Sequence, residues 1–395
     1  MKGMRMRGNH CMGRLLLLAV VAGVGWFGAR GQDFAPPPRT PDGFLVPQPG
    51  RRFEWPRDHG RHDGFKIEWW YVTGQLTAED GRELGYQLTF FRNAGPTPGG
   101  GMGAAQPSLF AHAPLHLAHC AVVDVASGRF LHESRINREG WDAGASAETL
   151  KVHNGWWRLE RTTSGPGPET MDLRAGVRGE ASLELRLVAE KPVVVFGTNG
   201  VSRKGRDPTA ASHYLTFTRL RTEGTARVGG ASARVQGVSW MDHEFSSSQL
   251  EAGQSGWDWA CVILDDGTEI MAYRMRREDG GTDPFSTLAW VGSDATPRHV
   301  GPDRFQWEVT GRWTSGVTGA RYPNRVRLTA PAFQGTGTRA LSLEPLLDAQ
   351  EIVDPLGGVA YWEGACRVRD ESGKVVGRAY LELAGYVGRL RDKFR

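Results

Sequence analysis

Cysteine is scarce in this chain, and the four present (Cys11, Cys120, Cys261 and Cys366) form no spaced pairs. The last three lie within apolar runs, so the expectation is buried thiols rather than a disulfide framework, with a single bridge left open. Charge of one sign is lacking too. The 48 basic and 44 acidic residues are dispersed and leave a net of only +4. That excludes the clustered basic stripe of a nucleic-acid-binding surface. Only one long apolar run occurs, Leu15 to Phe27, and it falls short of the ~20 residues that cross a bilayer. Helical periodicity is almost absent, and no Gly-x-Ser-x-Gly elbow marks a serine hydrolase.

What is present begins with a basic N-terminus. Lys2, Arg5, Arg7 and Arg14 precede the apolar run, and the small, polar stretch Gly28 to Gln32 follows it. Residues 1–32 therefore read as a secretory signal peptide, with an uncleaved anchor as the alternative. Cys11 precedes the run, so no lipobox cysteine sits at the cut. The expected location is periplasmic or extracellular, with no transmembrane span after cleavage. Residues 33–49 carry Pro36, Pro37, Pro38, Pro41 and Pro47 and read as an extended linker. The remaining length fits two domains, set at 50–235 and 236–395.

Glycine (53) and tryptophan (14) are abundant, and short runs of period-two alternation recur between Gly and Asp-Gly turns. Lys66 to Leu76 and Glu83 to Arg92 make one hairpin around Ala78 to Gly81. Trp257 to Leu264 and Glu269 to Arg276 make another around Asp265-Asp266-Gly267. Further strands are expected at Leu115 to Val125, Trp156 to Arg161, Ala181 to Ala189, Ala226 to Val228 and Ala233 to Trp240. The last ones are Phe305 to Trp313, Arg325 to Ala330, Val359 to Arg369 and Gly377 to Val387. Ala94 to Gln106 and Ser202 to Ser212 read as loops. The fold class is all-β, a barrel or sandwich. The two hairpins echo each other, acid beside tryptophan entering and Asp-Gly turning, as a weak internal repeat that opens each domain.

Asp58-His59-Gly60-Arg61-His62, Glu68 to Gly74 and Gly85 to Arg92 resemble carotenoid 1,2-hydratase (hydroxyneurosporene synthase) and its secreted, AttH-like relatives. The resemblance continues at Ala118-His119, Gly237 to Ser248, Gly256 to Trp259, Tyr361 to Ala365 and Gly377 to Leu383. It implies two consecutive lipocalin-like β-barrels packed against each other and a hydrophobic isoprenoid or lipid-like ligand, with no cofactor. In the carotenoid hydratases one strand bearing His-Tyr-Trp and another bearing Tyr-x-Asp supply the site. The resemblance places His213-Tyr214-Leu215 on the first and Trp240-Met241-Asp242 on the second, so Leu215 and Trp240 depart from the pattern.

Hydration of an unactivated alkene needs a strong proton donor and something to stabilise the carbocation. A carboxyl in an apolar setting stays protonated near neutral pH, and aromatic faces stabilise a cation. Asp242 is the expected acid, with His213 orienting it and Trp240, Trp257 or Trp259 as aromatic walls. Period-two geometry puts Trp240, Asp242 and Glu244 on one face and Met241 and His243 on the other. Glu68 shares a face with Trp70, and Trp257 shares one with Trp259. Tyr214, Glu68, Trp70 and His119 complete the expected ligand contacts. If the Asp242 face looks into its barrel, the interior holds paired carboxylates. The bland alternative is that Asp242, Glu244 and Glu68 salt-bridge to Arg219, Arg221 or Arg274.

No metal site is expected. Asp58, His59 and His62, or His112, His116 and His119, suffice by count, but strand geometry sets His116 opposite His119. Ser246-Ser247-Ser248 reads as turn chemistry rather than a nucleophile. The functional expectation is an exported ligand-binding protein with acid-catalysed hydration or cyclisation at a C=C bond. The alternatives are a non-catalytic carrier serving an exporter and a secreted hydrolase.

Overall fold

The computed structural model describes residues 34–95, 113–140, 142–356, 358–388 and 390. Residues 1–32, read as a signal peptide, most of the stretch 94–106 read as a loop, His112 and Trp141 lie outside the described residues. A 3-10 turn, Arg57–His59, precedes an almost wholly β body. The first sheet takes β1 (Ile67–Ala78), β2 (Glu83–Asn93), β3 (Leu115–Asp124), β4 (Arg129–Arg138), β5 (Ala143–Ala145), β6 (Lys151–Asn154) and β7 (Trp157–Arg161). It continues with β8 (Thr170–Val177), β9 (Ala181–Ala189), β10 (Val194–Phe196), β11 (Ser202–Arg203), β12 (Ala211–Val228) and β13 (Ala231–Ser248). The second sheet takes β14 (Gln254–Leu264), β15 (Glu269–Arg277), β16 (Thr287–Val291), β17 (Pro297–Val300) and β18 (Gln306–Thr314). It ends with β19 (Arg321–Pro331), β20 (Thr338–Pro345), β21 (Glu351–Asp354), β22 (Val359–Arg369) and β23 (Val375–Ala384).

Each sheet closes by the same device. Its first strand pairs with its second on one side and with its last on the other: β1 with β2 and β13, β14 with β15 and β23. In the first sheet the path β4-β3-β2-β1-β13-β12-β9-β8-β7-β6-β5 almost completes a barrel, and Glu139 beyond β4 bridges Ala143 of β5. The second sheet, β17-β16-β15-β14-β23-β22-β20-β19-β18, is barrel-like. Both hairpins lie where the turn residues put them, and the hairpin echo is therefore one of topology.

Three expectations change. The strands read at Ala226 to Val228 and Ala233 to Trp240 are the adjoining ends of two 18-residue strands, β12 and β13. Their other halves carry Ser, Thr, His and Asp, which disguise strands buried on both faces. The changeover between sheets accordingly falls between Ser248 and Gln254, and the domain boundary placed at 235/236 cuts through β13. The proline-rich segment is not a free linker. Phe44 and Val46 are buried, the Leu45 amide donates to the Gly64 carbonyl at 2.8 Å, and Ser247 Oγ donates to the Leu45 carbonyl at 2.6 Å. The apolar triplet Phe44-Leu45-Val46 supplies an anchor that a reading by proline content overlooks. Cys120, Cys261 and Cys366 are free and buried, and burial pushes each thiol far up.

Three large apolar clusters follow from alternation. One fills the first barrel with Trp70, Trp157, Tyr86 and Phe90, and one fills the second with Trp290, Trp362 and Tyr322. The third lies between the sheets and draws Tyr71, Tyr214 and Trp240 from the first, Trp259, Tyr361 and Tyr380 from the second. Polar side chains stitch the same contact. Gln75 Nε2 donates to the carbonyls of Cys366 and Ala379, both at 2.9 Å, and Tyr71 donates to Glu363 at 2.8 Å. Lys191 and Arg219 both pair with buried Glu269 at 2.6 Å.

Gly85 marks a close approach of the two sheets. A Cβ there would lie 2.6 Å from the Ala365 Cβ and 2.7 Å from Val123 Cγ1. Gly85→Val is expected to overpack this contact and lower stability by about 1–3 kcal/mol. Urea unfolding checks it: the midpoint should fall with the slope unchanged. A midpoint equal to wild type would mean that the sheets separate locally without penalty.

Candidate functional site

The register of β1 on β13 sets Tyr71 opposite Asp242 and Trp69 opposite Glu244. These side chains leave the first barrel and enter the space between the sheets. The expected common face of Trp240, Asp242 and Glu244 is therefore observed, but it looks away from the barrel interior. Across the gap, β14 contributes Trp257 and Trp259, β15 Tyr273 and Met275, and β23 Glu382. With Trp69, Phe91, Lys204 and Tyr214 they enclose a cavity of about 80 Å³.

Asp242 is the centre of this crevice and is 3 % exposed. Thr216 Oγ1 and Trp240 Nε1 each donate to Oδ1 at 2.7 Å, and the Tyr214 hydroxyl donates to Oδ2 at 2.7 Å. Trp259 Nε1 in turn donates to the Tyr214 oxygen at 2.9 Å, so one hydrogen-bonded line runs from the second sheet to the carboxyl. Burial pushes the Asp242 carboxyl up to about 7, against the pull of the three donors and with help from the charge of Glu244. Glu382 is raised in the same way, to about 7, by burial and by Asp242 and Glu244, although Trp257 Nε1 donates to it at 2.9 Å. Two carboxyls poised at neutrality thus face one aromatic crevice.

Glu244 has a different partner. Lys204 Nζ lies 3.2 Å away, both side chains are buried, and the ammonium also sits over the rings of Tyr214 (4.9 Å) and Tyr273 (4.3 Å). Burial works to lower the Lys204 pKa, but Glu244 and Tyr273 outweigh it and the net direction is up. The arginines expected as partners are engaged elsewhere: Arg219 with Glu269, Arg274 with Asp258, and Arg221 with Glu223.

His213, Glu68 and Trp70 are corrections. His213 neighbours Tyr214 on β12 and therefore points to the opposite face, among Phe53, Phe65 and Phe245, with Nδ1 on the Gly200 carbonyl at 2.7 Å. Burial lowers its pKa to about 4, and it does not orient Asp242. Glu68 and Trp70 face the barrel interior. Glu68 Oε1 takes His62 Nδ1 at 2.8 Å and His243 Nε2 at 2.9 Å, while His62 Nε2 meets Asp58 at 2.9 Å. Trp70 stacks on His243 with ring centroids 4.9 Å apart.

His62, Glu68 and His243 are also the one set among the described residues whose ligand atoms lie close enough for a metal ion. Both imidazoles, however, sit at hydrogen-bonding distance from a single oxygen, and the other nitrogen of His62 is taken by Asp58. The cluster is a hydrogen-bonded tie that fastens the Arg57–His59 turn to β1 and β13. His59 packs on Trp55 instead, and His116 faces away from His119 toward Glu139. Ser246 and Ser247 are likewise ties, to Gln249 and to Leu45.

His119 does reach the space between the sheets, beside the crevice, where it meets Tyr361 and Asp354. Sequence reasoning gave no role to Glu382, Glu363, Tyr361 or Lys204. The available signal was an acid in mid-strand: Glu363 and Glu382 each sit two residues after a tyrosine in otherwise apolar strands. Lys204 lay in a stretch read as polar loop and offered none.

A model described as AttH-like matches residues 46–386. A crystal structure of a putative AttH from Nitrosomonas europaea is 33% identical, with a TM-score of 0.75, and the match covers 86% of this chain and 99% of that one. Kievitone hydratase from Nectria haematococca shares the fold at 12% identity and a TM-score of 0.61, over 89% of this chain and 98% of that one. CghA, crystallised with Sch210972, does so at 13% identity and a TM-score of 0.52, over 88% of this chain and 98% of that one. No curated protein sequence matches.

A buried carboxyl raised from its usual value near 3.8 to about 7 holds its proton in the folded state and loses it in the unfolded one. Its contribution to stability is full below the lower value and falls as pH rises toward the upper. Asp242→Asn removes this dependence. The variant's stability relative to wild type is expected to rise between pH 4 and pH 8, by up to about 4 kcal/mol. Denaturant titrations at both pH values check it, and a constant difference would show that Asp242 ionises normally.

Proposed function

This chain belongs to the AttH-like family, and we propose that it is an exported protein whose inter-sheet crevice holds a hydrophobic, isoprenoid- or lipid-like molecule and protonates one of its double bonds. One observation carries the reading: Asp242, buried and held near neutrality, faces a crevice walled by Trp69, Phe91, Trp257 and Trp259. Such a carboxyl is protonated in a useful fraction of molecules at pH 7 and anionic once it has given the proton away.

The chemistry balances within the crevice. Asp242 transfers its proton to one alkene carbon and leaves the cation on the other, where the indole faces of Trp257 and Trp259 stabilise it. Water adds to the cation and gives a proton back to a carboxylate, either Asp242 or Glu382, so that alkene and water leave as an alcohol. Where a second double bond of the ligand intercepts the cation first, a ring closes, the new cation gives a neighbouring C–H proton back to the Asp242 carboxylate, and the product is a cyclic isomer. The Tyr214–Trp259 line holds the acid in place from the opposite sheet. That one protein of like fold is a hydratase supports water addition as the reaction, and the basic, apolar N-terminus supports export.

Incubation of wild type with a panel of isoprenoid polyenes should give a product heavier by one water, or an isomer. The rate should fall about tenfold per pH unit above about pH 7, because only protonated Asp242 acts. Asp242→Asn should lower it by roughly 10²–10⁴-fold while ligand still binds. Bound but unchanged ligand in wild type would make the protein a carrier, and equal turnover by the variant would remove Asp242 from the chemistry.

A further inference from the structure

A second cavity of about 150 Å³ adjoins the crevice, with Phe91, Trp257 and Glu382 lining both. Apolar side chains, among them Ile67, Leu117, Val359 and Leu390, make most of its wall. Its polar groups are organised rather than scattered. Asp354 Oδ2 lies 3.2 Å from His119 Nε2, and His119 Nδ1 lies 2.6 Å from the Tyr361 hydroxyl. The carboxylate only accepts, so Nε2 carries a proton. The tautomer that donates to Asp354 from Nε2 leaves Nδ1 to accept the Tyr361 proton. Tyr361 is thereby fixed as a donor to His119, and its oxygen lone pairs remain to accept from something else.

Glu363, two residues along β22, supplies the opposite polarity. Tyr71 donates to its Oε2 at 2.8 Å, and burial, reinforced by Glu382, keeps the carboxyl protonated. The cavity thus offers an acceptor at Tyr361 and a donor at Glu363. The cation in the lining, Arg92, faces two carboxylates, Asp63 at 3.2 Å and Glu68 at 3.9 Å, so its charge is already balanced within the protein.

We propose that this cavity is a hydroxyl-reading subsite, and that the ligand is a hydrophobic alcohol or phenol whose O–H donates to Tyr361 while its oxygen accepts from Glu363. The inference rests on the reading that the crevice holds a hydrophobic molecule, and it adds which end of that molecule is polar. A hydroxyl is a neutral group that donates and accepts at one atom. A hydrocarbon or an ether leaves the Tyr361 oxygen buried without its partner, which weakens binding.

Binding of farnesol and of its methyl ether, followed by tryptophan fluorescence, tests the subsite. Wild type should prefer farnesol by about tenfold. Tyr361→Phe, which keeps the ring, should remove the preference by weakening farnesol alone. Glu363→Gln, whose amide still donates, should retain the preference, and thermal melts of both variants report that they are folded. Equal binding of the two probes by wild type, or a preference that survives Tyr361→Phe, overturns the subsite and leaves the crevice reading standing. Failure of wild type to bind either probe removes the crevice reading and the subsite together.

Discussion

Contact between the two sheets is what takes Asp242, Glu244, Glu363 and Glu382 out of water, and the chemistry of the molecule depends on that dehydration. No one of these carboxyls is buried by its own barrel. Asp242 and Glu244 stand on the outer face of the first sheet and Glu363 and Glu382 on the outer face of the second. Each sheet is the solvent shield of the other. Close approach is possible because small residues, Gly85 against Ala365 above all, leave room for the backbones. Loosening the contact would admit water and return Asp242, Glu363 and Glu382 toward ordinary carboxyl ionisation.

Placement of the ligand space follows from the same geometry. A single eight- to ten-stranded barrel commonly holds its ligand inside, but here both interiors are occupied by their own side chains. Trp70, Trp157, Tyr86 and Phe90 fill the first, and Trp290, Trp362 and Tyr322 fill the second. Space remains between the barrels, where two convex faces cannot mate everywhere. A site shared by two sheets also gathers its groups from distant parts of the chain: Asp242 and Tyr214 from one, Trp259 and Glu382 from the other.

Period-two alternation made much of this legible. It grouped Trp240 with Asp242 and Glu244, and Trp257 with Trp259, and both groupings hold. Alternation gives relative facing only. Whether a face looks into a barrel or out of it depends on which side of the sheet the chain curls toward, and that is decided by strands far away. Hence alternation leaves open whether the Asp242 face looks into its barrel, and the structure turns it outward. Glu68 and Trp70, and His213 by way of the resemblance, are expected at the site, yet residues adjacent to Trp69, Tyr71 and Tyr214 on one strand cannot share a face with them. The hairpin echo shows the point at residue level. Counted back from each Asp-Gly turn, Tyr71 and Trp257 occupy the same register and both face the gap, whereas Trp70 falls between and turns inward.

Burial by itself does not decide which acids keep their protons. Glu68 and Asp242 are both enclosed, at 0 % and 3 % exposure, and dehydration pushes both upward. For Glu68 the imidazoles of His243 and His62 outweigh it, and the carboxyl is held well below the usual range. For Asp242 the partners are a phenol, an alcohol and an indole, all neutral, and they offset burial only in part. Two imidazole nitrogens converge on one oxygen of Glu68, and Asp58 holds the other side of His62; together they favour the anion more than the phenol, alcohol and indole do at Asp242. The histidine-rich interior therefore fixes a permanent anion that serves only to hold the fold. In the crevice Lys204 is committed to Glu244, and burial holds the Asp242 and Glu382 carboxyls near neutrality. Moving a single basic side chain within reach of Asp242 would turn the acid into another tie.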